Sequence, residues 1–175
     1  EVNKVKIKEN FEKKNAKDYE TRSKYQFFKD LSNNNKNFTV TVSPAKFNDP
    51  KKNIHFLSGI SNSKTIDCNE NGYFSIYLSD RFGFNNPNDQ WEGEDIKYIL
   101  LGDSFVHGAC VNRPNDIASQ LRVLSNKKVI NLGYKANGPL SMLATLKEYM
   151  PKNTENVLWV YFEGNDLNDL EFELN

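Results

Sequence analysis

Histidine and cysteine are both scarce in this chain, two of each among 175 residues, and each scarcity removes a class of function. Cys68 and Cys110 fit no metal-ligand spacing, so neither a metal nor any other cofactor is expected. They form either a disulfide, in an oxidising compartment, or two reduced, buried thiols. Long apolar runs are missing as well: nothing approaches the roughly eighteen apolar residues of a membrane-spanning helix, and no signal-peptide pattern is visible. The chain opens on Glu1 rather than Met, so it reads as cut from something longer, and a signal or membrane anchor upstream stays open. There is no excess charge of one sign either. Twenty-three Lys and Arg balance twenty-three Asp and Glu, which removes the electrostatic reason to expect a nucleic-acid partner. The local imbalances, nine basic against six acidic residues over 1–30 and the acids Glu163, Asp166, Asp169, Glu171 and Glu173, read as solvated faces.

What is present is enough for one core. The mean hydropathy of -0.71 is low, but aromatics make up 13% of the chain and supply large units of burial, so a folded domain is expected rather than disorder. The length suits one core plus an extension. Residues 1–95 read as an irregular α+β extension. It carries a peripheral helix over 8–32, strands at 38–42, 53–57 and 73–78, and turns at Asn71-Gly72 and Asn85-Asn86-Pro87. Trp91 lies in a polar loop, as a loop anchor or as a sugar-stacking platform. From about Ile96 the pattern becomes regular. Tyr98 to Leu101 is apolar without alternation, as in a strand covered on both faces. Pro114 opens a helix with Ile117, Leu121 and Leu124 on one stripe, and Val129-Ile130 is a second strand. Pro139 opens a helix with Leu140, Leu143, Leu146 and Met150 inward, and 157–161 is a third strand whose Trp159 and Tyr161 belong to the core. Strand, helix, strand, helix, strand implies an α/β unit over residues 96–175 with a parallel sheet and helices packed on it.

In such a sheet ligands bind beyond the carboxyl ends of the strands. The three ends here carry Gly102-Asp103-Ser104, the loop Asn131 to Gly138, and Glu163-Gly164-Asn165-Asp166. Ser104, after a glycine turn and at a helix start, is placed to attack a carbonyl while N–H groups hold the oxyanion. The same tripeptide read alone also describes a Ser/Asp helix cap. Asn165 at the third strand end and backbone N–H groups in the Gly133 to Gly138 loop would add donors, which favours the nucleophile. Three acids near Asn165 could suggest a metal, but no histidine accompanies them, and Asp166 reads as a hydrogen-bond acceptor in its turn.

ILLGDSF, NLGYKANGP and VYFEGND resemble, in order and spacing, the first three sequence blocks of the SGNH (GDSL) hydrolases, over about residues 96–170. The resemblance implies a three-layer α/β/α fold and hydrolysis of esters. It makes Ser104 the nucleophile and an oxyanion donor through its N–H, supported in its turn by Asp103, and Asn165 a further donor. The second-block donor comes from Gly133, Gly138 or Ala136, the last standing where the family often has glycine. The stretch Asp80-Arg81-Phe82-Gly83-Phe84 is similar to a segment preceding the catalytic strand in cell-envelope members that act on surface polysaccharides. That likeness turns the expected partner towards an acylated carbohydrate or small ester, and the expected location towards the bacterial envelope, with a cytoplasmic one as alternative.

The family's Asp-x-x-His, which supplies the general base, is missing from this chain. His107, one turn beyond Ser104, points more naturally into helix–sheet packing, and His55 reads as an ordinary partly buried histidine. The chain therefore reads as the N-terminal part of an SGNH-like enzyme, inactive alone. A catalytically silent SGNH-fold module for glycan binding or assembly is the alternative. A phosphate-binding flavodoxin-like reading is weaker, because the first loop lacks a glycine-rich cradle.

Overall fold

Two separate three-stranded sheets organise the molecule, seen in a computed structural model that describes residues 19–34, 36–44, 54–93 and 95–174. Helix α1 covers Lys24–Asn34, so the expected helix over 8–32 begins later within the described residues, and positions 8–18 lie outside them. Strands β1 (Phe38–Val40), β2 (Lys64–Ile66) and β3 (Ile76–Leu78) form the first sheet, with β1 parallel and β3 antiparallel to β2. Strands β1 and β3 are shorter than the runs that suggested them, and β2 falls where no strand was expected. The strand expected at 53–57 is reduced to a single bridge at Ile54.

The second sheet is wholly parallel. It joins β4 (Ile96–Leu101), β5 (Lys128–Asn131) and β6 (Asn156–Trp159) in the order β5–β4–β6. Parallel neighbours need long crossovers, and helices supply them: α2 (Ser104–His107) and α3 (Ile117–Ser125) between β4 and β5, and α4 (Pro139–Tyr149) between β5 and β6. Helix α5 (Asp166–Leu174) follows β6. Alternation along β4 sorts the core into two clusters. Ile99 and Leu101 join Ile130, Leu132, Phe84 and Tyr134 beside Leu146 and Tyr149 of α4. Leu100 joins Val106, Ala118 and Val129 beside Leu121 of α3. Phe84 and Trp91 sit in the first cluster, so the segment ahead of the parallel sheet is built into its core.

Each helix end has a local cause. Asp103 caps α2 by accepting from the Phe105 N–H at 3.0 Å, and Gly108 ends it in the left-handed region at φ 77°. Helix α3 starts at Ile117 rather than at Pro114, because Asp116 caps it, accepting from the Ser119 N–H at 2.9 Å and its hydroxyl at 2.5 Å. Pro139 is the first residue of α4, as its fixed φ and missing N–H favour.

The inward faces differ from the expected stripes. In α4 the residues that enter the core are Met142, Thr145, Leu146 and Tyr149, while Leu140, Leu143 and Met150 are exposed. Sequence offered two apolar stripes on this helix, and Thr145 fits the inner one by donating its hydroxyl to the Ser141 carbonyl at 2.7 Å. In α3 the buried residues are Ala118 and Ser119, and Ile117, Leu121 and Leu124 line an open apolar groove with Leu158 and Val160. Trp159 and Tyr161, expected in the core, are 46% and 51% exposed, because among the described residues β6 is paired on one side only.

Candidate active site

Strand β4 runs into Gly102, where a Cβ would stand 2.4 Å from Val106 Cγ2 and 3.1 Å from the Val160 carbonyl oxygen, so only glycine allows the turn this close to β6. The turn delivers Asp103, 4% exposed, and then Ser104, half-buried at the first position of α2. Asp103 is more than a cap. Its Oδ2 lies 3.4 Å from the Ser104 Oγ and accepts from the Asn165 Nδ2 at 3.2 Å, so two polar side chains from different strand ends meet on one carboxylate oxygen. Asn165 gives its second amide hydrogen to Asp169 at 2.7 Å. The turn that presents Asn165 is closed by Asp166, whose Oδ2 accepts the Phe162 N–H at 2.7 Å, the acceptor role expected for it. Burial pushes the Asp166 carboxyl above its ordinary value. Phe105 and Phe162, with ring centroids 4.8 Å apart, press this turn against α2.

The loop after β5 behaves differently from expectation at both glycines. Gly133 is no free donor: its N–H is bound to the Asn131 Oδ1 at 2.9 Å. Its role is close packing, since a Cβ would meet Val106 Cβ at 2.6 Å and the His107 nitrogen at 2.7 Å. The Gly138 N–H is likewise taken, donating to Glu173 Oε1 at 2.9 Å, and the Glu173 carboxylate also accepts from Leu140 and Ser141 at 2.8 and 3.1 Å. Glu173 thus caps α4 from α5, as a carboxylate at a helix N-terminus should. Ala136 remains. It is exposed and left-handed at φ 56°, a conformation that explains glycine as the easier residue there, and its N–H has no partner among the described residues. No hydrogen bond joins Ala136 to Ser104 or Asn165 among the described residues.

Two buried polar clusters hold these loops. Asp80, fully buried, accepts from the N–H groups of Phe82 and Phe84 on one oxygen and from Trp91 Nε1 and Asn86 Nδ2 on the other, at 2.8 to 2.9 Å. Trp91 is therefore a loop anchor, with its ring against Phe82. Asn86 passes the connection on by bonding both the N–H and the carbonyl of Asn131, as a neighbouring strand would. Arg122, whose guanidinium burial brings down to about 10, donates to the Asn86 Oδ1 at 2.7 Å.

The second cluster surrounds the disulfide that Cys68 and Cys110 form, which settles the alternatives left open by sequence. Asp67, 1% exposed, accepts from the Cys110 N–H at 3.1 Å and pairs with Lys135 of the second-block loop at 2.5 Å. Burial works to raise the Asp67 carboxyl, but His107, Lys135 and the Cys110 N–H outweigh it and hold it below the ordinary range. His107 is fully buried between the rings of Tyr77 and Tyr134, as its expected direction into the packing implied, and burial brings its pKa down to about 4. Neither ring nitrogen has a hydrogen-bond partner, so it is not aimed at Ser104. His55 is exposed, not partly buried.

Sequence reading did not single out Lys135 or Asp67, took Asn86 only as a turn residue and placed Glu173 on a solvated face, where the structure has it capping α4; the partners of all four are distant in the chain. Asp80 was visible as the acid of the Asp80 to Phe84 stretch. Among the described residues no group of three or more His, Cys, Asp or Glu could hold a metal, and no helix is long and apolar enough to cross a membrane. Comparison of the chain with protein-family models, with curated proteins and with solved structures found no match.

Proposed function

We propose that this chain is the nucleophile-bearing part of an SGNH-type serine ester hydrolase with a three-layer α/β/α core, acting on acyl esters, acetyl or longer, such as those of a surface polysaccharide. The observation that carries the reading is the meeting of the Ser104 hydroxyl and the Asn165 amide on Asp103 Oδ2, from loops 62 residues apart. Separate helix caps have no reason to converge there. In the proposed reaction the Ser104 Oγ bonds to the ester carbon and its proton passes to a base outside these 175 residues. The carbonyl oxygen takes the negative charge, facing the Ser104 N–H, the Ala136 N–H and one Asn165 hydrogen released from its longer bond to Asp103. The tetrahedral intermediate expels the protonated alcohol, and water frees the acyl group. The disulfide supports an oxidising, extracytoplasmic setting.

A silent glycan-binding or assembly module is the second reading. The observation that favours it is the position of both histidines, one buried and unpartnered, the other exposed. p-Nitrophenyl acetate hydrolysis by the full-length protein decides between them. The enzyme reading expects Ser104→Ala to bring the rate to background and Asn165→Ala to lower kcat by about 10²- to 10³-fold, as removal of one oxyanion donor does. Hydrolysis unchanged by Ser104→Ala removes that serine from the mechanism.

A further inference from the structure

A cleft of about 370 Å³ opens beside Ser104, between α2 and the loop that leads to α3. Phe105, Ala109, Val111 and Ile117 give it apolar lining, and the exposed Glu70 and Asn115 and the buried Asp116, whose carboxylate already accepts from Ser119, are its polar lining. We propose that this cleft is the acyl subsite, taking an apolar chain on the order of six carbons, with its width set by the Cys68–Cys110 disulfide. The proposal rests on Ser104 being the nucleophile.

The wall is built rather than incidental. Cys110 stands between the lining residues Ala109 and Val111, and Cys68 lies two residues before Glu70, so the disulfide ties together two lining segments that are distant in the chain. The backbone is left-handed at Gly108, φ 77°, and at Cys110, φ 60°, a conformation that a non-glycine residue adopts at a cost and that surrounding contacts must hold. Here the Asp67 carboxylate holds it through the Cys110 N–H. At Gly108 a Cβ would come within 2.8 Å of the Asp116 Cβ, so the loop and the start of α3 are in direct contact.

Position and lining choose the occupant. Asn165 belongs to the β6 loop and the cleft to the α2–α3 connection, so a carbonyl on Ser104 with its oxygen towards Asn165 has the cleft open to one of its other two substituents. Hydroxyls of a sugar alcohol would find partners only at Glu70, Asn115 and Asp116 and would stay unpartnered against Phe105, Val111 and Ile117, which burial penalises, whereas an alkyl chain buries apolar surface there. An acetyl methyl would leave most of the volume empty. A methylene needs about the volume of a water molecule, roughly 30 Å³, so a closed space of 370 Å³ would hold about twelve, and a cleft open along its mouth about half of that, a chain of about six carbons. Each buried methylene is worth about a fourfold gain in affinity, or about 10²-fold between acetyl and hexanoyl.

The test separates the cleft from the chemistry by using neutral amides that resist turnover. Binding of N-methylhexanamide and N-methylacetamide to the full-length protein is followed by NMR shifts. The longer amide is expected to bind about 10²-fold more tightly, with shifts centred on residues 105–117. Ala109→Trp or Val111→Trp, each checked for a native-like spectrum, should abolish that preference, and the joint change Cys68→Ser with Cys110→Ser should reduce it at least tenfold. Equal affinities, a preference that survives both tryptophan variants, or methyl glucoside shifting the same residues in place of the amide would overturn the acyl assignment. Full preference in the serine variant would overturn the part given to the disulfide. Should the longer amide bind as expected while ester hydrolysis ignores Ser104→Ala, the cleft stands and the nucleophile reading fails.

Discussion

Replacing Asp80 by alanine tests the claim that one buried carboxylate fastens the segment ahead of the parallel sheet to the sheet itself. Four N–H donors converge on it, from Phe82, Phe84, Trp91 and Asn86, and none of the carboxylate is exposed. A hydrogen bond to a charged group contributes about 1.5–3 kcal/mol. The four are not additive, since the Phe82 and Phe84 donors belong to one tight turn and water can reach part of an emptied site. A loss of about 4 kcal/mol is expected, within the range of severe single-site effects and a large part of the ~5–15 kcal/mol that a domain has. Asp80→Asn should lose less, about 2 kcal/mol, because its amide oxygen still accepts two donors while its NH₂ opposes the other two. Urea unfolding followed by tryptophan fluorescence reads this directly. With a slope of ~2 kcal/mol per molar, the alanine variant should unfold about 2 M earlier and the asparagine variant about 1 M earlier. Midpoints unchanged in both would refute the role given to Asp80, and equal losses would refute the donor-by-donor reasoning.

Three further outcomes follow from the same contacts. Reducing the disulfide, or replacing both cysteines by serine, frees a loop with a separation of 42 residues and should lower stability by about 4 kcal/mol on the chain-entropy relation, read as an earlier urea midpoint. His107, held at a pKa of about 4 against 6.5 when unfolded, takes up its proton more readily in the unfolded chain. Stability should therefore fall by about 3 kcal/mol as pH drops from ~6.5 to ~4, and a His107→Phe variant should lose that slope. Gly133→Ala forces a Cβ against Val106 and the His107 nitrogen and should lower stability by about 1–3 kcal/mol in thermal unfolding, although its N–H partner is retained.

The parallel strands and the alternation with helices were legible because fully covered strands read as unbroken apolar runs. The ends of the three strands could be located for the same reason. What the glycines do was not legible. Gly133 and Gly138 look like a donor loop in sequence, yet one is small so that α2 can approach and the other so that α5 can. A missing side chain leaves no mark of which neighbour required its absence. The stripes on α3 and α4 misled because each helix carries more apolar residues than its buried face uses, and periodicity does not say which stripe meets the sheet. Trp159 and Tyr161 were assigned to the core on hydrophobicity, but burial on β6 depends on what flanks the strand. The pairing of Lys135 with Asp67 spans 68 residues, and nothing local to either position announces it.

The placement of Ser104 raises a question of support, because α2 is a single turn and a lone turn is unstable without tertiary contacts. Its contacts come from three directions. Gly102 and Gly133 let Val106 pack against the ends of β4 and β5, and Asn131 Nδ2 donates to the Val106 carbonyl at 2.6 Å. Asn85 Nδ2 donates to the His107 carbonyl at 2.9 Å, and Tyr77 lies edge-on to the His107 ring. Asn85 and Tyr77 belong to the segment before β4, as does Cys68, whose disulfide holds Cys110, two residues after the Gly108 cap of α2. The described residues ahead of β4 are thus structural support for the serine turn and not an appendage to it. Expressed alone, residues 96–175 would lose those contacts together with Phe84, Asp80 and the disulfide, and should show no cooperative unfolding transition by circular dichroism. A cooperative transition in that fragment, with backbone shifts at 104–107 matching those of the longer chain, would mean that the parallel sheet positions Ser104 unaided.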